Sequence, residues 1–175
     1  MATENIIINE EWRSIDGFIN YQVSNIGRVR NANTGRILKP KNNGIGYLQV
    51  CLHKDGKPIY HHVHRLVAHE FLDNPENKRC VDHMNNVRSD NHVSNLRFAT
   101  HSDNQRNKIK RQNTSSQYYG VFWDKTRNKW RCQIKDTNGK TKPLGDFLNE
   151  KEAALAYNQY VSANFAEFGK LNQID

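Results

Sequence analysis

The sequence predicts an α+β protein built from small antiparallel sheets. Three observations carry that reading. Hydrophobic residues are 36% and charged residues 25% of 175, too little apolar material for one deep core and enough for small modules. Short alternating runs are joined by Asp-Gly and Asn-Gly, the residues that tight hairpin turns require. Helical segments are few, and two of them open on a capping residue. The expected order is an N-terminal small antiparallel sheet over residues 1–63 and a central two-strand-and-helix unit over 64–108. A basic polar linker over 109–117 follows, then a C-terminal three-stranded antiparallel sheet packed on one helix over 118–175.

The N-terminal region reads as strands at GFINYQVSN, GRVRN, YLQVCLH and PIYHHVH. The last two flank Asp55-Gly56, and alternation places Leu48, Val50 and Leu52 on one face with Gln49, Cys51 and His53 on the other. His64 to Phe71 has helical spacing through Leu66, Val67 and Phe71 and should stop before Asn74-Pro75, because the residue ahead of a proline avoids helical backbone. A short strand at Leu96–Ala99 precedes a helix opened by Thr100 and Asp103, spaced as in a capping box. Strands follow near 118–124, 129–136 and 141–147, with Asn138-Gly139 as a turn. Asn149 and Glu152 open a final helix with Ala153, Ala156, Tyr157, Tyr160 and Val161 at helical spacing, and Gly169 is expected to end it.

Composition excludes several classes. The longest apolar run, Ala153 to Tyr157, falls far short of the ~20 residues that span a bilayer, so no membrane partner is expected. The acidic start, MATENIIINEEW, does not resemble a signal peptide. Cys51, Cys80 and Cys132 are widely separated and form no CxxC pair, which argues against a disulfide framework or a cysteine-built zinc site. A soluble, intracellular monomer without a small-molecule cofactor is expected.

Charge is concentrated. Between Thr100 and Lys142 lie eleven Lys or Arg and three acids, whereas the rest of the chain is balanced, so this stretch holds all of the net +8. Basic residues on phosphates release condensed counterions, and Tyr118, Tyr119, Phe122, Trp123 and Trp130 are interleaved with them. Nucleic acid is the partner this pattern fits. All eight histidines fall between His53 and His101. Alternation puts His61 opposite His62 and His64, against a three-histidine metal cluster.

Within VDHMNNVRSDNHVSNLRFATHSDN, Asp82 and His83 end one short strand and Asn104 lies on the capped helix. If the strands pair and the helix crosses them, Asp82 and Asn104 converge. Both offer oxygen, which suits a hard cation such as Mg²⁺ or Mn²⁺, and His83 can accept a proton from water. Arg97 can reach a phosphate or support the loop.

The runs HRLVAHEF, NPENK, VDHMNN, DN, NLR and AT with Asn104, together with EEWRSIDGFINYQVSNIGRVRN, resemble the HNH homing endonucleases of phage and viral mobile introns across residues 10–108. The resemblance implies a ββα-metal nuclease unit. It makes Asp82 and Asn104 the metal ligands, His83 the general base, and Asn95 the residue that holds the loop and orients the histidine. Asn86 stands where glycine is usual, and asparagine tolerates the left-handed turn.

Tyr118-x-Gly120-Val121, Lys129-Trp130 with Ile134, Leu144-Gly145-x-Phe147 and EKEAALAYN resemble the APETALA2-type DNA-binding domain of plant ethylene-response factors over 115–172. That likeness implies a sheet laid in the major groove and backed by the helix. Trp130, Cys132 and Ile134 would then face Tyr157 and Val161, leaving Arg131, Gln133 and Lys135 outward. Tyr119 and Phe122 stand where plant domains carry arginines, and Pro143 where they carry tryptophan. The DNA-contact set expected from both resemblances and the charge is Arg28, Arg30, Arg97, Lys108, Lys110, Arg111, Tyr119, Phe122, Arg127, Lys129, Arg131, Gln133, Lys135 and Lys142.

The reading is a site-specific endonuclease acting on double-stranded DNA with a divalent metal. A catalytically silent DNA-binding regulator on the same scaffold is the alternative, and an RNA-binding basic protein is a third.

Overall fold

A computed structural model describes residues 9–108, 110, 114–165 and 168–174. The chain is mixed α and β and divides into two compact units, one ending at Ala99 and the other beginning at Thr100.

The first unit holds two three-stranded antiparallel sheets rather than one. Strands β1 (Trp12–Ile15), β2 (Phe18–Ser24) and β3 (Val29–Asn31) form the first, in that order. Strands β4 (Lys41–Asn42), β5 (Leu48–Lys54) and β6 (Lys57–His62) form the second. The β5–β6 turn has Asp55 and Gly56 both at positive φ, 51° and 75°, the backbone of a two-residue hairpin loop that follows the strand twist. As alternation requires, Val50 and Leu52 are buried while Gln49, Cys51 and His53 are less so. Two strands had no sequence signal: β4 is a pair of polar residues, and β1 is apolar only at its ends.

Helix α1 (Val63–Phe71) follows directly, burying Leu66 and Val67, and the chain is extended again at Leu72 ahead of Pro75. Strand β7 (Cys80–His83) pairs antiparallel with β8 (Leu96–Ala99), Asp82 opposite Arg97. One hydrophobic cluster joins Ile15, Val23 and Val29 to Val50, Leu52, Val63, Val67, Val81 and Leu96. That common core explains why no division falls at 63/64: the sheets, α1 and the β7–β8 pair bury their apolar faces against one another.

The second unit opens with α2 (His101–Arg106). Thr100 and Asp103 form the expected capping box, with Thr100 Oγ1 accepting the Asp103 N–H at 3.2 Å and Asp103 Oδ2 accepting the Thr100 N–H at 3.0 Å. Arg106 donates to the Asp136 carbonyl at 2.9 Å and lies 4.0 Å over the Phe165 ring. These contacts place α2 with the second unit, so the segment 64–108 is shared between the two. Strands β9 (Val121–Asp124), β10 (Lys129–Lys135) and β11 (Thr141–Phe147) form an antiparallel sheet with β10 central. Helix α3 (Glu150–Asn164) backs it, its first turn capped by Asn149, which accepts from the Lys151 N–H at 2.8 Å. Cys132, Val121, Ala153 and Ala154 form its core with Trp130 and Tyr157, while Ile134 packs with Val161.

Gly169 does not end α3. The helix stops at Asn164 with Phe165 as its C-cap. Gly169 serves a packing need instead, because a Cβ there would lie 2.1 Å from Val161 Cγ1. Helix end and close approach both select glycine, and sequence does not separate them.

Candidate active site and nucleic-acid surface

The β7–β8 hairpin builds the site. Asp82 and His83 are its last buried residues on β7, only 4% and 5% exposed. Such a carboxylate needs compensation, and Arg97 supplies it from the facing strand, donating from Nε at 3.0 Å and Nη2 at 2.9 Å to Asp82 Oδ2. In this geometry Arg97 supports the site through Asp82.

Beyond His83 the chain turns sharply. Asn86 has φ +62°, and its N–H donates to the His83 carbonyl at 2.9 Å. Asparagine thus fills the left-handed position that glycine usually takes. Asn95 pins the loop from its far end: its Oδ1 accepts the Asn85 N–H at 3.0 Å and its Nδ2 donates to the Asp90 carbonyl at 2.8 Å. Its carbonyl accepts the Met84 N–H at 2.9 Å. The side chain at the His83 ring is another one: Asn91 Oδ1 lies 3.2 Å from His83 Nε2, both residues buried. Sequence reading had Asn91 only as half of an unassigned Asp-Asn pair.

Aromatic rings wall His83. His64 lies 5.0 Å away edge-on, and Tyr47, from the loop before β5, lies 5.9 Å away. Tyr47 also touches His62 and His64, and the Arg88 guanidinium caps it at 5.0 Å. His61 points elsewhere, edge-on to Phe18, as alternation in β6 requires. Burial lowers the His83 pKa, opposed by the Asn91 hydrogen bond and by Asp82 and Asp90, so the ring is a neutral proton acceptor near pH 7. Burial drives His64 further, to about 3, with the nearby His83, His62 and Arg65 adding to it. His64 Nδ1 is buried without a hydrogen-bond partner. His69 packs edge-on to Phe98, and His92 caps the short 3₁₀ turn Val93–Asn95. Asn104 lies on α2, in the second unit. Among the described residues no group of three or more His, Cys, Asp or Glu could hold a metal ion. A carboxylate and an amide oxygen nevertheless suit Mg²⁺ or Mn²⁺, which complete their shells with water and substrate phosphate.

The other basic residues divide by what already holds them. Arg28 pairs with Glu10, and Arg30 donates to Gln22 and stacks 4.1 Å over Trp12. On the C-terminal sheet Arg131 lies 3.4 Å from Asp124 and 3.5 Å from Asp146, with Phe122 opposite it on β9, and Arg127 also reaches Asp146. Lys108, Lys129, Lys135 and Lys142 are exposed, Lys142 lying 4.8 Å over the Tyr160 ring. Gln133 is half-buried. The Lys110 N–H donates to Tyr119 Oη at 3.2 Å. Lys108, Lys110, Tyr119, Gln133, Lys135 and Tyr157 border a cleft of about 620 Å³ in the second unit. Arg111, and with it part of the expected linker, lies outside the described residues. Trp130, Cys132 and Ile134 face the helix as expected. No described helix is long and apolar enough to cross a membrane.

Known proteins resemble this chain over the segments that build the site. The model of the NUMOD4 motif matches residues 10–53, and that of an HNH endonuclease matches 61–106. An uncharacterized HNH endonuclease of Acanthamoeba polyphaga mimivirus is 44% identical over 90 residues, 48% of this chain and 22% of that protein. The DNA endonuclease I-HmuI of Bacillus phage SP01 is 42% identical over 74 residues, 42% of each chain. The matches thus span less than half of these relatives. A solved structure concerned with DNA binding and cleavage by the HNH homing endonuclease I-HmuI aligns over 76% of both chains, with a TM-score of 0.53 and 29% identity. Residues 10–53 thus match the NUMOD4 motif and residues 61–106 an HNH endonuclease, and the chain is similar to HNH endonucleases of viral and phage origin.

Proposed function

We propose that the protein is a site-specific, metal-dependent endonuclease that hydrolyses phosphodiester bonds of double-stranded DNA. The observation that carries this reading is the pairing, on adjacent residues of β7, of a buried carboxylate with a buried, neutral imidazole inside the segment that the HNH model matches. His83 takes the proton of the attacking water, and burial keeps its ring in the accepting form. Arg97 holds the Asp82 carboxylate in place through two hydrogen bonds. Asp82 and Asn104 would hold Mg²⁺ or Mn²⁺, which when bound supplies charge stabilisation at the scissile phosphate and the departing 3′ oxygen. Asn95 fixes the loop that follows the base.

The C-terminal unit holds the duplex. A three-stranded sheet backed by one helix, with Cys132 and Ile134 inward and Lys129 and Lys135 exposed, supports its likeness to the APETALA2-type domain. Arg28 and Arg30 add backbone contacts from the N-terminal sheet. Two weak binding regions on one chain raise effective concentration and lengthen the site read. The protein acts as a soluble monomer inside the cell.

The test is conversion of supercoiled plasmid, including DNA that flanks the protein's own gene, with Mg²⁺ or Mn²⁺ against EDTA and against His83→Ala. Metal-dependent nicking or linearisation lost in the variant is the expected result. Firm duplex binding with no cutting on any of these plasmids assigns the chain to the silent regulator instead.

A further inference from the structure

We infer that Asn91 is a positioning residue for His83, and that the turn ending at Gly27, within the NUMOD4 segment, holds Asn91 in place. The inference rests on the reading of His83 as the base and adds how that base is aimed. Asn91 is 4% exposed, and its Oδ1 faces His83 Nε2 at 3.2 Å. An amide oxygen only accepts, so the nitrogen opposite it carries the hydrogen. The neutral ring is then the Nε2–H tautomer, with its lone pair on Nδ1. One tautomer in one orientation keeps the whole population competent to take a proton, where a mixture would idle part of it.

The support for Asn91 comes from far away in sequence. Gly27 sits at φ +85°, and a Cβ there would lie 2.7 Å from Asn91 Cβ and 3.2 Å from its carbonyl oxygen. Only glycine lets the two backbones approach so closely in that conformation. The Gly27 N–H donates to the Ser24 carbonyl at 3.0 Å, closing the turn. From the same turn the Asn25 carbonyl accepts the Val93 N–H at 2.7 Å, two residues beyond Asn91. Asn91 is thus bracketed by one hydrogen-bonded turn, and the segment 10–53 builds part of the nuclease site.

The experiment records the His83 tautomer by long-range ¹H–¹⁵N NMR on metal-free protein, beside single-turnover cleavage with Mg²⁺ or Mn²⁺ and duplex affinity. Wild type should show the Nε2–H form. Asn91→Asp keeps an acceptor in place and should keep the Nε2–H on the side facing residue 91. Asn91→Leu removes the acceptor at similar volume. It should give mixed tautomers and a cleavage step about 100-fold slower at unchanged duplex affinity, the cost of a misaimed reacting group. A merely structural role would lower Tm and leave the tautomer alone. Wild-type protein in the Nδ1–H form overturns the proposal, even if Asn91→Leu does not fold. So does Asn91→Leu with wild-type tautomer and rate. Gly27→Ala, whether it unfolds the unit or only displaces Asn91, should not match wild type, and a match removes Gly27 from the assignment. Should wild type cut no DNA, the nuclease reading fails while the tautomer still judges Asn91.

Discussion

Arg97 and Asp82 face each other across the β7–β8 pair, and two guanidinium nitrogens converge on the single oxygen Oδ2 at 3.0 and 2.9 Å. The side chains are 14% and 4% exposed, so the pair is formed largely away from water. Removing one partner of such a pair costs about 3 kcal/mol or more, because the other charge stays behind uncompensated. Asp82→Ala should therefore abolish cleavage and lower Tm by several degrees, with duplex binding close to wild type below that Tm. Adding Arg97→Met to Asp82→Ala should restore much of the Tm and none of the cleavage. Calorimetry and plasmid cleavage on the two variants check this. Equal loss of binding and cleavage in Asp82→Ala would remove the role assigned to the carboxylate.

His64 gives a pH dependence with a definite sign. Burial holds its folded-state pKa at about 3 against an ordinary value of 6.5, so the unfolded chain binds the proton first. Its contribution is fully present above pH 6.5 and is lost as pH falls from there towards 3. Between pH 7 and pH 5 the loss is about 2 kcal/mol. The groups packed around it are His62 at the end of β6, Tyr47, His83 on β7 and Arg65 on its own helix. His64→Phe removes the titration and the unpartnered nitrogen together. Its Tm should fall less between pH 7 and pH 5 than that of wild type, and parallel curves would deny His64 the effect.

Much of this was legible from the sequence, for a physical reason in each case. Asp55-Gly56 and Thr100 with Asp103 are local signals, complete within four residues, and both turn out as read. The alternation of Trp130, Cys132 and Ile134 is likewise a property of a single strand. Asn91, Gly27 and Tyr47 were not legible, because what they do depends on residues 8, 64 and 36 positions away and on a core that joins segments read as separate modules. Gly169 failed for another reason, since two different needs select the same residue. Strand β4 lacks any hydrophobic mark and exists through its pairing with Gln49 and Leu48.

Gly120 should be the least tolerant glycine of the C-terminal unit. It sits at φ +72°, and a Cβ would lie 2.2 Å from Tyr157 Cδ2 and 2.8 Å from the Gln133 carbonyl oxygen. Gly120→Ala therefore combines backbone strain with a collision in the core and should cost about 3 kcal/mol or more. Tyr157→Leu in the same chain relieves the ring contact and not the carbonyl contact, so it should recover only part of the loss. Thermal unfolding of the single and double variants measures both, and a Gly120→Ala protein as stable as wild type would contradict the close packing of β9 on α3.

The salt dependence of duplex binding should separate basic residues that are already committed within the protein from those that are not. Lys129 and Lys135 are exposed on β10, whereas Arg131 on the same strand sits between Asp124 and Asp146. A lysine that neutralises a DNA phosphate releases about one counterion, so Lys129→Gln and Lys135→Gln should each reduce the slope of log affinity against log salt by about 1. Arg131→Gln removes one cation from beside two carboxylates, Asp124 losing its ion pair and Asp146 keeping Arg127. Its affinity should fall with added local repulsion, and binding should become sharply worse at low salt. Restoring charge balance with Asp146→Asn in the Arg131→Gln chain should then recover most of the low-salt affinity. Fluorescence anisotropy titrations across a salt series check this, and wild-type slopes for all three single variants would mean that this face of the sheet does not lie on the DNA backbone.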